Sequence, residues 1–547
     1  MLVLRRYVAS VALMLFLSAS AGAADSARPQ LTPDQWRADL RYLVEQMRAL
    51  HKNLFHTVKP EALEAAVRSL DDRISSANED EIVAGLVRLV ALVQDAHTGA
   101  ADFPPGKSYY PLRLRRYESG IYVEAAPREH ASLVGGKLIA VDRTAAEDVW
   151  RDLLTLHSHD PGNAGPADTY GTITLVSSNV LHGLDISPTA DSATFVIENA
   201  GRRQTVTFPP SVSFETLVSR SLPDGWTDAR KGGSPALWLA HPERTLWYEY
   251  LPTTKTLFVQ VNEILNPPGA TFAAFFKEVF DFADAHPVDK FVLDLRRNGG
   301  GNNGLLRPAI VGIIERPPID RRGHFFVIVG PATASAAQNF VNRLESYTNA
   351  VFVGRPSGEN VNMYGDPAIV TLPNSKLRFG ISTLWWQDKD PRDVRSATAP
   401  EIAAVSTMDD YRNNRDPALD AILETTRLVT VDEAILDAVT AGGIETGLVK
   451  YREWMADPRH RFQRDPEVPL NSLGYRLLGE KRFADAIAVL TLVTETHPHS
   501  SNAFDSLAEA YELSGQKAAA IANYRRALEL NPDNASSRAA IQRLVGV

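Results

Sequence analysis

From about residue 246, short apolar runs alternate with stretches of helical period, and this alternation restricts the fold more than any other feature of the chain. Thr256 to Val261 reads as a strand, and Phe272, Phe275, Phe276, Val279 and Phe282 recur at helical spacing. Phe291-Val292-Leu293-Asp294-Leu295 reads as the next strand, followed by a helix near Leu305 to Ile314. A strand at 325–329, a helix at 334–347 and a strand at 350–353 complete the series. Strand–helix–strand order predicts right-handed parallel crossovers. Ligands in such sheets bind beyond the carboxyl ends of the strands. A hairpin is expected around Pro373-Asn374-Ser375, then a strand carrying Trp385-Trp386.

Two segments fall at those strand ends. The first is Pro331-Ala332-Thr333-Ala334-Ser335-Ala336-Ala337, between an apolar run and a helical pattern. A serine at a strand-to-helix turn flanked by small residues has an exposed hydroxyl near the partly positive end of a helix. Negative charge is stabilised there. Ser335 is therefore the candidate nucleophile; the competing explanation is a close-packing patch of small residues. The second segment is Asp294-Leu295-Arg296-Arg297-Asn298-Gly299-Gly300-Gly301-Asn302, whose glycines permit a sharp turn with unshielded amides. Its spacing fits neither phosphate-binding glycine pattern, and Gly106-Lys107-Ser108 has Ala101 where such a loop needs glycine. Nucleotide binding is not expected.

Upstream, residues 31–100 read as helical. Thr32-Pro33-Asp34-Gln35 is a capping box, and an amphipathic run from Ile82 to Val93 leads into Gln94-Asp95-Ala96-His97-Thr98. A lone histidine there can be structural or catalytic, and Asp95 and Thr98 suit capping. No His-Glu-x-x-His cluster exists, so neither a metal nor any other cofactor is implied.

The chain of 547 residues is 44% hydrophobic and 22% charged, an ordinary globular composition large enough for several domains. Its net charge of −9 speaks against a nucleic-acid partner. Residues 1–23 have the layout of a signal peptide: Arg5 and Arg6, an apolar run from Val8 to Leu17, then Ala21-Gly22-Ala23. Export to the periplasm follows, without stable membrane insertion of the mature chain. There are no cysteines, which excludes a thiol nucleophile and a disulfide framework. The C-terminal part repeats with a period of 34, pairing Leu473 with Leu507, Ala486 with Ala520 and Pro498 with Pro532. That is the tetratricopeptide period, which offers a surface for a protein partner. The expected divisions are a helical segment at 30–105, a β-rich segment at 106–245, an α/β core at 246–428 and repeats at 432–547.

The glycine loop, followed by the Thr-Ala-Ser-Ala-Ala helix start, resembles the tail-specific (C-terminal-processing) serine peptidase superfamily, which includes the tricorn core protease. The resemblance covers about 246–425 and implies a multidomain α/β catalytic core with ClpP/crotonase-like ββα layers. Segment 106–245 resembles that family's PDZ-like module in part, through Gly135-Gly136-Lys137-Leu138-Ile139-Ala140-Val141. It further implies Ser335 as nucleophile, with the Ala336 amide and a glycine amide, Gly300, around the oxyanion. The tail-specific branch has a lysine base where this chain has Asn360, and an amide cannot accept the proton. The tricorn-like branch uses a histidine, and Asp95-Ala96-His97-Thr98 matches its motif, although Ala96 stands where that branch has serine. The acidic orienter precedes a segment matched by Pro400-Glu401-Ile402, which makes Asp393 the nearest candidate and Glu359 its rival. The implied activity is that of an exported serine peptidase acting on a peptide or protein. A silent peptide-binding scaffold working through its repeats, and an ester hydrolase of the same fold, are the alternatives.

Overall fold

The computed structural model describes residues 30–101, 109–463 and 466–546. The leader-like segment 1–23 and Gly106-Lys107-Ser108 lie outside the described residues. Contacts divide the chain into two compact units, one reaching Pro400 and resuming at Ala404–Glu424, the other holding Glu401–Ala403 and the chain from Thr425 onward. No helix among the described residues is long and apolar enough to cross a membrane.

The first unit is organised around a parallel sheet. Its strands lie in the order Val351–Gly354, Phe325–Val329, Lys290–Asp294 and Thr256–Val261, with Leu246–Leu251 antiparallel beyond the last. Val259, Leu293, Val327 and Phe352 form one row across the four parallel strands. All four are buried. Burial on both faces is why these strands read as unbroken apolar runs rather than as alternating ones. The helices Phe272–Ala285, Arg307–Ile314 and Ala336–Tyr347 make the crossovers. Gly312 lets two of them approach, since a Cβ there would fall 2.0 Å from the Phe280 ring.

The N-terminal helices Pro33–Leu50, Pro60–Arg73 and Glu79–Ala91 belong to the same unit. The capping box forms: Thr32 Oγ1 accepts the Gln35 amide and Gln35 Oε1 accepts the Thr32 amide. Residues 113–208 build an antiparallel sheet in the order Arg113–Tyr117, Gly120–Pro127, Lys137–Val141, Ala193–Asn199, Arg202–Phe208.

The hairpin pairs Asn362–Thr371 with Arg378–Gln387, and Gly99–Ala100 adds to its second strand at Gly380 and Phe379. The hairpin tip is tied to the first helix. Asp39, wholly buried, accepts the amides of Asn374 at 2.9 Å and Ser375 at 2.7 Å, and the Asn374 carboxamide at 2.9 Å. These bonds help set the register of the strand on which the His97 segment is threaded.

In the second unit, the helix pairs Glu467–Gly479 with Phe483–Thr496 and Ser501–Leu513 with Lys517–Leu530 carry the 34-residue period. Leu473, Leu507, Ala486 and Ala520 are all buried where paired helices meet. A further pair, Val431–Gly442 and Ile444–Ala456, precedes them.

Asp39→Ala strips three donors of their acceptor. Charged hydrogen bonds and the cost of orphaned buried donors put the expected loss at about 2–4 kcal/mol of unfolding free energy. Asp39→Asn should lose less, and thermal unfolding of the two variants measures the order.

Candidate active site

Ser335 lies between the strand Phe325–Val329 and the helix Ala336–Tyr347 with φ 55° and ψ −127°, a region that L-residues rarely adopt. The strain is held by neighbours. The Ser335 amide donates to Glu359 Oε2 at 2.5 Å, and the Ala334 amide to the Asn298 carbonyl at 3.1 Å. Thr333 Oγ1 donates to the Leu295 carbonyl at 2.9 Å and accepts the Gly330 amide at 3.0 Å. The turn is thereby fastened to the glycine loop, and the Ser335 side chain stays partly exposed.

His97 Nε2 lies 3.0 Å from Ser335 Oγ. Its segment is set by Asp95, which accepts the His97 amide at 2.9 Å and the Thr98 hydroxyl at 2.6 Å. Asp95 Oδ2 also meets His51 Nε2 at 3.0 Å. His51 Nδ1 accepts the Asn53 amide at 3.0 Å, so Nε2 carries the proton donated to Asp95. His97 Nδ1 faces Glu359 Oε1 at 3.4 Å, an ion-pair separation and not a well-aligned hydrogen bond. Serine, histidine and glutamate thus stand in sequence, with the carboxylate also gripping the serine backbone.

Asp160 joins the two sides from a third segment. Its Oδ1 accepts the Ala96 amide at 3.1 Å and its Oδ2 the Asn360 amide at 2.9 Å, the residues next to His97 and Glu359. Burial, then the charges of Glu359 and Asp95, push Asp160 up to about 7 against the pull of those two amides. Burial also raises Glu359, opposed by His97 and the Ser335 amide. For His97, burial favours the neutral ring. Glu359, Asp95, Asp160 and Asp366 together outweigh it and hold the imidazole above its ordinary value. Asp95 stays below the usual carboxylate range: burial would raise it, but the His51 bond and the His97 charge prevail.

Two sequence expectations need correction. Asp393 does not face His97: its carboxylate takes the Arg395 guanidinium at 2.9 and 2.7 Å, and Glu359 occupies the place beside the imidazole. The second concerns Gly300, whose amide donates to Asn298 Oδ1 at 2.9 Å and so already has an acceptor. Gly300 is still essential to the packing. At φ 116°, a Cβ there would lie 2.6 Å from Ser335 Cβ and 3.1 Å from both Ser335 Oγ and the Ala336 nitrogen. Among the described residues no acceptor meets the amides of Gly299 or Ala336. Gly299 and Gly300 form part of the wall of a cleft of about 1650 Å³. Asp160 and His51 were missed from sequence, Asp160 because Asp160-Pro161-Gly162 reads only as a turn.

Comparison with known proteins agrees with this geometry at the level of fold. Residues 501–534 match the tetratricopeptide repeat family model. No curated protein matches the sequence. Among solved structures, a serine-to-alanine mutant of CPAF aligns with a TM-score of 0.51 at 13% identity, covering 73% of this chain and 100% of that one. Mature CPAF complexed with lactacystin aligns at 14% identity over 72% of this chain and 97% of that one, with a TM-score of 0.49. The photosystem II D1 C-terminal processing protease aligns at 14% identity over the same shares, with a TM-score of 0.35. The CPAF mutant is the comparison that carries the argument: the chain shares the mixed α/β fold of that protein, with a helical C-terminal region bearing a tetratricopeptide repeat.

Reactivity of Ser335 with a fluorophosphonate should follow deprotonation of His97. With the imidazole raised, the rate should climb with pH through an apparent pKa above about 6.5. Glu359→Gln removes the foremost carboxylate that raises it, so the limb should move to lower pH while the limiting rate falls by about 10²-fold or more. Gly300→Ala, which displaces Ser335, should cost about 10²-fold at every pH.

Proposed function

We propose that the chain is an exported serine peptidase in which Ser335 is the nucleophile, His97 the general base and Glu359 the group that orients the imidazole. The observation that carries this reading is the 3.0 Å approach of His97 Nε2 to Ser335 Oγ at a backbone-strained serine. Ser335 Oγ attacks the substrate carbonyl as its proton passes to His97 Nε2, and Glu359 stabilises the imidazolium. The Ala336 and Gly299 amides, which have no acceptor among the described residues, are suited to receive the oxyanion, each such donor being worth about 3–4 kcal/mol in the transition state. His97 then protonates the departing amine, and water, activated by the same ring, releases the acyl group. The resemblance of the glycine loop and the Thr-Ala-Ser-Ala-Ala helix start to tail-specific peptidases, on a fold shared with CPAF, supports a peptide as substrate.

Export rests on the leader-like residues 1–23, and a periplasmic site follows from them. The tetratricopeptide match supports a protein partner on the repeat surface.

The test compares wild type with Ser335→Ala and His97→Ala, by fluorophosphonate labelling and by cleavage of an unstructured protein substrate. Labelling and cleavage should vanish in Ser335→Ala. In His97→Ala both should fall by about 10³-fold or more. Labelling that persists in Ser335→Ala, or cleavage that is indifferent to both substitutions, removes the reading.

A further inference from the structure

Arginines crowd the wall of the cleft beside the glycine loop, and among the described residues Arg297 there meets neither a carboxylate nor a carbonyl. The guanidinium carbons of Arg115, Arg296 and Arg297 lie 5.8, 5.3 and 5.5 Å from the centre of the Trp238 ring. Arg115 is paired with Glu124 at 2.5 Å. Arg296 forks onto Asp416 at 2.7 and 2.9 Å and meets Asp294 at 2.8 Å. Arg220, also on this wall, is paired with Glu263. Arg297 meets no carboxylate within ion-pair distance among the described residues. Its guanidinium lies over the face of Trp238.

An arginine held on an aromatic face without an anion presents its donors to whatever enters the cleft. Burial, then the guanidinium groups of Arg115 and Arg220, push its pKa down to about 10, so it remains a cation at neutral pH and is unfavourably crowded while alone. Its place on the chain ties it to the reaction site. Arg297 directly precedes Asn298, which fixes Gly300 against Ser335. A planar guanidinium offers two parallel N–H bonds, which match a carboxylate.

We infer that Arg297, stacked on Trp238 in the cleft wall, is a specificity-determining residue that receives a carboxylate of the peptide substrate close to the scissile bond. The inference rests on the peptidase reading above and adds the class of peptide: one bearing an acidic side chain near the cleavage point. Arg115, Arg220 and Arg296, already neutralised, shape the wall and leave the open coordination to Arg297.

The experiment separates binding from turnover. Ser335→Ala protein is titrated with fluorescent peptides that differ only by Glu→Gln at single positions, or by a free against an amidated C-terminus. Cleavage of the same peptides by the otherwise native enzyme is followed in parallel. An acidic peptide should bind about tenfold to a hundredfold more tightly than its neutral twin. That ratio should fall to near one with Arg297→Gln, and Arg297→Lys should keep part of it. In turnover the preference should appear in KM more than in kcat. Preference that follows Glu→Gln supports the inference, and preference that follows amidation alone overturns it. Equal binding of the acidic and neutral twins, or a preference that survives Arg297→Gln, overturns the inference. Discrimination in binding with no Ser335-dependent cleavage would overturn the peptidase reading while leaving the carboxylate site standing.

Discussion

The Glu359 carboxylate, with 1% of its surface exposed, takes the Ser335 amide on one oxygen and faces His97 on the other. Burying a carboxylate is unfavourable unless donors satisfy it. Here one oxygen takes the Ser335 amide and the other lies at ion-pair distance from the His97 ring, so satisfying Glu359 also sets Ser335 against His97. The strained φ of Ser335 is the same fact seen from the backbone: the turn must rotate to aim its amide at the carboxylate. Support continues outward. The Gly358 amide donates to the Thr333 carbonyl at 2.8 Å, and the Asn163 carboxamide to the Ser357 carbonyl at 3.0 Å.

Around His97 the negative groups are distributed, and their separate anchors keep them from acting as one. Asp95 is held ionised by His51 and by the hydroxyl of Thr98. Asp160 spends its oxygens on two peptide amides and titrates near neutrality. Close carboxylates cannot all ionise freely. The imidazole therefore gains its extra basicity from neighbours whose own charge states it influences, and His97, Glu359 and Asp160 respond to pH together.

How much of this was legible in the chain depended on the range of the interaction. The strands were, because burial on both faces left runs such as Phe325 to Val329 without a polar interruption. Helix starts were, since Thr32 and Gln35 bond within one turn. The Ser335 turn was visible through its small residues, although the helix begins at Ala336 and not at 334. The acidic member was misplaced because the Pro400-Glu401-Ile402 landmark fixes a position along the chain, not in space. After the strand Val351–Gly354 the backbone doubles back beneath the serine turn at Gly358, where a Cβ would strike the Pro331 carbonyl at 2.2 Å. That brings Glu359 to the imidazole, whereas Asp393 meets Arg395 two residues on. The capture of the Gly300 amide by Asn298 is local and was readable in principle as an Asx turn. The role of Asp160 was not, for it exists only when segments 64 and 200 residues apart have both arrived.

The contact between His97 and Ser335 spans 238 residues. Closing so long a loop costs little more than closing a short one, because the entropic penalty grows only with the logarithm of length. The consequence lies in timing. On the peptidase reading, a half-made or half-unfolded chain holds Ser335 without its base, so reactivity would require both distant segments to be in place at once.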